Sequence, residues 1–230
     1  MRDIIIYTDG SCLHNPGRGG WAAVVIDGEN RYELSGGVVL STNNRMEIRA
    51  AIQALRSLDI SDSTNMNIKI YSDSQLLVNS IQQGWAVRWR ANNWKRNKKD
   101  KAENPDLWAE LLPEIEQRNV EFVWIRAHVG TAENERCDVL AKAAAEQATE
   151  HDTVYEQTYA QQTAEQSATQ TTEQTTLFAE PAADNNAYVV RYHKGTSTIH
   201  IQHATNGTLR IPKNRIMEVI NAIKDSMASA

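Results

Sequence analysis

The chain has 230 residues and 41% hydrophobic content, enough for one large domain or two small ones with a real core, and it lacks the run of about 18 apolar residues that a membrane span needs. Two cysteines, Cys12 and Cys137, lie far apart with no C-x-x-C, which argues against a disulfide framework or a cysteine zinc site and fits free thiols in a reducing compartment. The net charge of −5 is uneven: residues 1–145 carry 18 Lys+Arg against 19 Asp+Glu, residues 146–187 carry eight acids and no Lys or Arg, and residues 188–230 carry six bases against two acids.

From the N-terminus, "IIIYTDGS" at residues 4–11 reads as part of a buried strand over 3–9, its isoleucines and tyrosine running into the turn residues Asp9, Gly10 and Ser11. Strands over 20–27 and 31–39, joined by the turn "DGEN", complete an antiparallel meander. A helix over 44–58 leads to a strand at 67–72, which runs into Asp73 as the first runs into Asp9. Then come a helix over 74–83, a basic Trp-rich stretch, a helix from Pro105 to about Gln117, the strand "VEFVWI" and a helix from Ala132. Helices between the later strands imply parallel crossovers, so the predicted class is α/β, a mixed sheet with helices on its faces.

Asp is a common turn and cap residue, so neither strand end is diagnostic alone. In the 44–58 helix, however, Ala51, Ala54, Leu55 and Leu58 lie four, seven, eight and eleven residues beyond Glu47, which puts Glu47 on the stripe facing the sheet. Asp138 borders the buried face of the last helix, with Ala141 and Ala145 three and seven residues further on. Singly, each also fits an edge residue reaching solvent. Together, carboxylates gathered in a partly dry pocket repel one another unless a cation sits among them. Oxygen ligands without interleaved His or Cys favour Mg²⁺ or Mn²⁺, and a carboxylate-held pair of such ions suits phosphoryl chemistry. The predicted class of activity is a nuclease or phosphotransferase.

In order and spacing, "YTDGSCLHNPGRGGWA", "STNNRMEIRAAIQAL", "YSDSQLL", the basic stretch with "NPDLW", and "WIRAHVGTAENERCDVLA" resemble type 1 ribonuclease H, the bacterial ribonuclease HI, over residues 1–145. The resemblance implies a five-stranded sheet of order 3-2-1-4-5 and endonucleolytic cleavage of the RNA strand of RNA/DNA hybrids, leaving 5′-phosphate and 3′-hydroxyl ends. It places Asp9, Glu47, Asp73 and Asp138 on the family's metal-binding carboxylates, which implies two Mg²⁺ ions per site, with Mn²⁺ as a substitute. His128, in "AHVG", falls on the family's mobile histidine, which serves proton transfer or product release. Cys12, Asn15, Asn43, Asn44 and Gln75 match positions that touch the sugar edges of the hybrid, chiefly through 2′-hydroxyls, and Thr42 matches a contact to a DNA phosphate. Capping of the first helix by Asn43 or Asn44 is compatible with such a role.

Two residues depart from the family's usual run: His14 stands where it has Gly, and Arg18 where it has Pro. Either His14 crowds the backbone approach to the hybrid or Arg18 adds a phosphate contact, and the residues alone do not choose. "WAVRWRANNWKRNKKDK", residues 85–101, carries seven Lys or Arg, one Asp and three Trp. Trp85 and Trp89 share a helical face, and Trp94 beside Lys95 and Arg96, with Lys98 and Lys99 beyond, suggests a groove for sugar and phosphate. The stretch matches the family's basic protrusion, which holds the DNA strand; a solvated helix face is the bland alternative. The competing function is a hybrid- or duplex-binding module on the same fold without turnover, and the intact set of four carboxylates weighs against it.

The expected domains are a catalytic domain at 1–148, a disordered acidic Thr/Gln-rich linker at 149–186 with a weakly helical alternative, and a small β-β-α module at 187–230. In the last, two or three strands turn at 194–195 and 206–207, and a helix comes next whose Ile216, Val219, Ile220 and Ile223 share one face. This module is loosely similar to a PUR-type nucleic-acid-binding repeat, and a protein partner fits it equally. The catalytic domain is expected to be monomeric. The first strand begins too early for a signal peptide, so the expected location is cytoplasmic.

Overall fold

The computed structural model describes residues 2–59, 66–127, 130–175, 188–192, 198–203 and 207–212. The chain divides into two compact units, Met1–Gln162 and Thr163–Ala230. In the first, β1 (Arg2–Leu13), β2 (Gly17–Asp27) and β3 (Asn30–Ser41) form an antiparallel meander. β4 (Met66–Ser72) pairs parallel with β1, and β5 (Asn119–Trp124) pairs parallel with β4, which gives the order β3-β2-β1-β4-β5. This is the five-stranded mixed sheet expected, with one correction: Asp9 lies inside β1, opposite Ala22 of β2, and not at the strand's end. What stops at Thr8 is the parallel ladder with β4, whose last rung sets Thr8 against Ser72. β2 continues to pair with β1 as far as Leu13 opposite Arg18, so backbone groups beyond Asp9 keep partners and the strand extends.

β2 buries both of its faces. Ala23 and Val25 join Ile4, Ile6, Ile68 and Ile70 in the core under α1 (Asn43–Arg56), where Ile48, Ala51, Ile52 and Leu55 meet them. Ala22 and Val24 pack on the other side with Cys137 and Ala141 of α5 (Ala132–Glu146). Each large aliphatic side chain buried this way contributes roughly 1.5–3 kcal/mol. α5 comes this close because residue 20 is glycine: a Cβ there would lie 2.0 Å from the Ala141 carbonyl oxygen.

α1 is capped by Thr42, whose hydroxyl accepts from the Arg45 amide at 3.4 Å, so the cap is neither Asn43 nor Asn44. Ser74 caps α2 (Gln75–Gln82) in the same way. Gly84, at φ +66°, turns the chain into α3 (Trp85–Ala91), and α4 (Pro105–Glu116) opens on a proline, which suits a first helical turn.

Beyond α5 the described residues run past the expected boundary at 148 into the expected linker, first as a buried stretch and then as a helix, the alternative that its composition allowed. Ala148 and Asp152 are buried, Glu150 bridges to Val38 on the free edge of β3, and α6 (Thr153–Thr175) is helical. The physical reason is a cap and an ion pair. The Asp152 carboxylate accepts from the Tyr155 amide at 3.1 Å and meets Arg45, while the Ala, Gln and Glu beyond it are good helix formers. In the second unit, β6 (Tyr188–Tyr192), β7 (Thr198–His203) and β8 (Gly207–Pro212) form an antiparallel sheet of order β6-β7-β8. The helix expected after it lies outside the described residues. Among the described residues no helix is long and apolar enough to cross a membrane.

Candidate active site

Register brings the first two carboxylates together. Ile4, Ile6, Tyr7 and Thr8 pair with Ile68, Ile70, Tyr71 and Ser72, and the two tyrosine rings stack at 5.0 Å. Asp9 and Asp73 each come directly after the last rung, and so they leave neighbouring strands side by side. Glu47 reaches them from above, on the first turns of α1. That approach needs glycine at position 10, where a Cβ would lie 2.3 Å from the Glu47 amide nitrogen.

Carboxylate oxygens of Asp9, Glu47 and Asp73 all lie within 4.8 Å of one another. Asp9 is 7% exposed and Glu47 4%, so Glu47 points inward as helical periodicity predicted. At that separation each ionised pair repels by roughly 3 kcal/mol for an effective dielectric of about 20. Burial and then the Asp73 charge push the Asp9 carboxyl up to about 7, although the Gly10 amide donates to it at 2.8 Å. Glu47 is raised well above the carboxylate range, first by burial and then by Asp9 and Asp73. Its Oε2 is buried without a hydrogen-bond partner, while Oε1 accepts from the Asn43 side-chain amide at 3.4 Å. An orphaned carboxylate oxygen, a dry acidic cluster and an all-oxygen donor set fit a hard divalent cation such as Mg²⁺.

These three residues sit in an open cleft of about 470 Å³ that Asn43, Asn44, Gln75, Asp138 and Lys142 also line. The structure therefore gathers all four predicted carboxylates, with Asp138 outside the tight triad and its Oδ2 held 2.7 Å from the Lys142 ammonium. Cys12, Asn15 and Thr42 do not line the cleft but bond to residues beside it: the Asn15 carboxamide accepts from the Asn43 backbone amide at 3.2 Å, and the Cys12 thiol donates to the Ser41 carbonyl at 3.3 Å. Burial pushes the Cys12 thiol up, which keeps it protonated and a donor. Thr42 adjoins them as the helix cap. His128 lies outside the described residues.

The basic stretch lies on α3 and the loop after it and does not line this cleft. Trp89 packs on Trp108 at 6.0 Å and on Trp85 at 6.4 Å, and both Trp89 and Trp94 are partly buried against the core. Only the part these rings leave exposed is open to a ligand, whereas Lys95, Arg96, Lys98 and Lys99 are fully on the surface. The choice over the two departures is partly resolved: Arg18 donates to the carbonyls of Ala145, Glu146 and Ala148 at 3.2, 3.1 and 2.6 Å, so its guanidinium is engaged at the end of α5.

Two further residues support the carboxylates. Asn134, buried on the first turn of α5, donates its amide to Asp73 Oδ2 at 3.3 Å, and Lys142 holds Asp138. Both were reachable from spacing, since Asn134 lies four residues before Asp138 and Lys142 four after, on one helical face.

A family model for RNase H matches residues 1–146. The chain belongs to the ribonuclease H family. The ribonuclease H of Syntrophus aciditrophicus is 56% identical over 145 residues, 63% of this chain and 82% of that protein. That of Trichodesmium erythraeum is 52% identical over 145 residues, 63% of this chain and 90% of its own length. Among solved structures, LC9-RNase H1, a type 1 RNase H with the type 2 active-site motif, superposes with a TM-score of 0.55 at 27% identity, covering 64% of this chain and 74% of that one. These relatives place the chain in the bacterial type 1 branch of ribonuclease H, and its acidic triad is suited to ribonuclease H-type catalysis with a divalent metal.

Proposed function

We propose that the chain is an endoribonuclease that hydrolyses the RNA strand of RNA/DNA hybrids with two divalent cations, Mg²⁺ or in its place Mn²⁺, leaving 5′-phosphate and 3′-hydroxyl ends. The observation that carries this is the triad of Asp9, Glu47 and Asp73 within 4.8 Å, in a cleft that the side-chain amides of Asn43, Asn44 and Gln75 also line. Asp9, Glu47, Asp73 and Asp138 would hold the ions. Bound there, two such ions supply an activated water and stabilisation of the leaving oxygen.

The rest of the chemistry falls to the chain's own groups. Asn43 orients Glu47, and Asn134 orients Asp73. Cys12, Asn15, Asn43, Asn44 and Gln75 offer donors and acceptors suited to 2′-hydroxyls, which would select the strand to be cut. Thr42 would contact a phosphate of the other strand, and the exposed Lys95, Arg96, Lys98 and Lys99 would contact the DNA backbone. His128 is the proposed proton carrier near the leaving group. Cleavage breaks the P–O3′ bond, with the water oxygen joining phosphorus and a proton passing to the 3′ oxygen.

The six bases against two acids in residues 188–230 support a nucleic-acid-binding role for that module, with a protein partner as the competing reading. We take the catalytic unit to act as a monomer in the cytoplasm. The test is cleavage of labelled RNA/DNA hybrid, duplex RNA, duplex DNA and single-stranded RNA, each with Mg²⁺, Mn²⁺ or chelator. Cutting confined to the RNA of the hybrid, and only with metal, is expected. Tight hybrid binding with no cutting under any metal would instead establish the non-catalytic alternative.

A further inference from the structure

We infer that residues 147–159, which lie beyond the part matched to the RNase H family, form a clasp that holds the substrate-contacting rim of the cleft, with Arg18, Arg45 and Asp152 as its positioning residues.

The clasp closes at three points. Arg18 grips the carbonyls at the end of α5 and the one at Ala148. The Val39 amide donates to the Glu150 carbonyl at 2.8 Å, which adds the segment to the free edge of β3. Then Asp152 meets Arg45, where the guanidinium donates to Oδ1 at 3.0 Å and to Oδ2 at 2.8 and 2.9 Å. Both side chains are 3% exposed. The Tyr155 ring lies 5.1 Å from the Arg45 guanidinium carbon, and Asp106 takes the other edge of that guanidinium at 2.6 and 2.9 Å. In this dry site the pairing is directional, because a bidentate guanidinium–carboxylate contact fixes both groups in one plane.

The clasp holds the residues that meet substrate. Arg45 sits in the first turn of α1, its amide bonded to Thr42 and its neighbours Asn43 and Asn44 lining the cleft. Arg18 lies just past the turn that carries Asn15, and Asn15 is bonded to the Asn43 amide. Asn15 and the Thr42–Asn44 corner are thus tied to the segment through one of two arginines. Asp9 and Asp73 are anchored independently by the β1–β4 ladder, and Glu47, although it shares α1 with Arg45, is also held by the contact of α1 with Gly10. Loosening the clasp should therefore disturb how a hybrid is seated more than the chemistry. Arg18 is also one of the two departures from the family's usual run, and a proline there could not reach Ala148.

The inference rests on the proposed hybrid cleavage and is tested on the full chain with Asp152→Asn, Arg18→Ala and the double variant. Steady-state cleavage of a hybrid of about ten base pairs is measured with Mg²⁺, and hybrid binding with chelator. The expected result is a KM raised by about fivefold or more, a matching rise in Kd, and kcat within about twofold of wild type. Arg18→Ala keeps the test alive if Asp152→Asn fails to fold, since Arg18 lies at the surface. Unchanged KM and Kd beside a lowered Tm would show a purely structural contact, and a fall in kcat alone would show an effect on chemistry; either overturns the clasp. A wild-type chain that binds hybrid without cutting it refutes the nuclease reading but leaves the Kd comparison to judge the clasp, and one that neither binds nor cuts refutes both.

Discussion

Thr8 lies opposite Ser72 in the last rung of the parallel β1–β4 ladder, and the next residue on each strand is the aspartate that the site requires. Two chain segments 64 residues apart thus deliver their carboxylates to one point by register alone. Removing either charge should leave the ladder intact. Asp9→Asn or Asp73→Asn is expected to lower cleavage on the order of 10³-fold or more while hybrid Kd stays within a few-fold, because the loss is several kcal/mol of metal-borne charge stabilisation. Near-normal turnover in either variant would remove these residues from the site.

The same proximity predicts a stability effect without metal. The Asp9 carboxyl is raised to about 7 in the fold, while an unfolded chain titrates it near 3.9. Between these values the folded state binds the extra proton, so stability falls as pH rises through the window and is level above it. Glu47, raised by the same surroundings, adds to the slope in the same direction. At pH 8 in chelator, Asp9→Asn should be more stable than wild type by ~2 kcal/mol, and the gain should vanish near pH 4. Saturating Mg²⁺ should reverse the order, since only the wild type binds it well. Urea unfolding at the two pH values decides this.

Gly10→Ala is a geometric test. Its Cβ would meet backbone at 2.3 Å, which cannot rotate away, so α1 must move off β1 and carry Glu47 with it. Overpacking of this kind costs about 1–3 kcal/mol, and a displacement approaching 1 Å at a reacting centre can cost on the order of 10²-fold. Isothermal titration with Mg²⁺ should show weakened binding beside the lost activity. Intact metal affinity would mean that α1 accommodates the methyl elsewhere.

In the basic stretch, charge and aromatic residues should separate. Replacing Lys95, Arg96, Lys98 and Lys99 by Ala should weaken hybrid binding and flatten the slope of log K against log salt by up to about 3, with little change in Tm. Trp89→Ala should instead cost about 3 kcal/mol of stability, because that ring packs against Trp108. An unchanged salt slope in the quadruple variant would leave the segment as solvated surface.

The sequence by itself determined the strands of the sheet, the helices and the inward face of Glu47, because these depend on short-range rules, whereas the sheet order and the set of four carboxylates were legible through the resemblance to ribonuclease H that five motifs in order carry. Strand periodicity and helical periodicity both act within about ten residues. Tertiary structure decided what depends on residues far apart in the chain. It placed Asp9 inside a strand, because β2 supplies partners past it. It gave the helix cap to Thr42 and drew Trp94 against the core. It assigned Arg18 to the carbonyls that close α5. Above all, it made the start of an acidic, apolar-poor segment part of the first unit, through Asp152 buried on Arg45 107 residues away. Composition averages over such a segment, and one buried ion pair leaves the average unchanged while fixing where the chain runs.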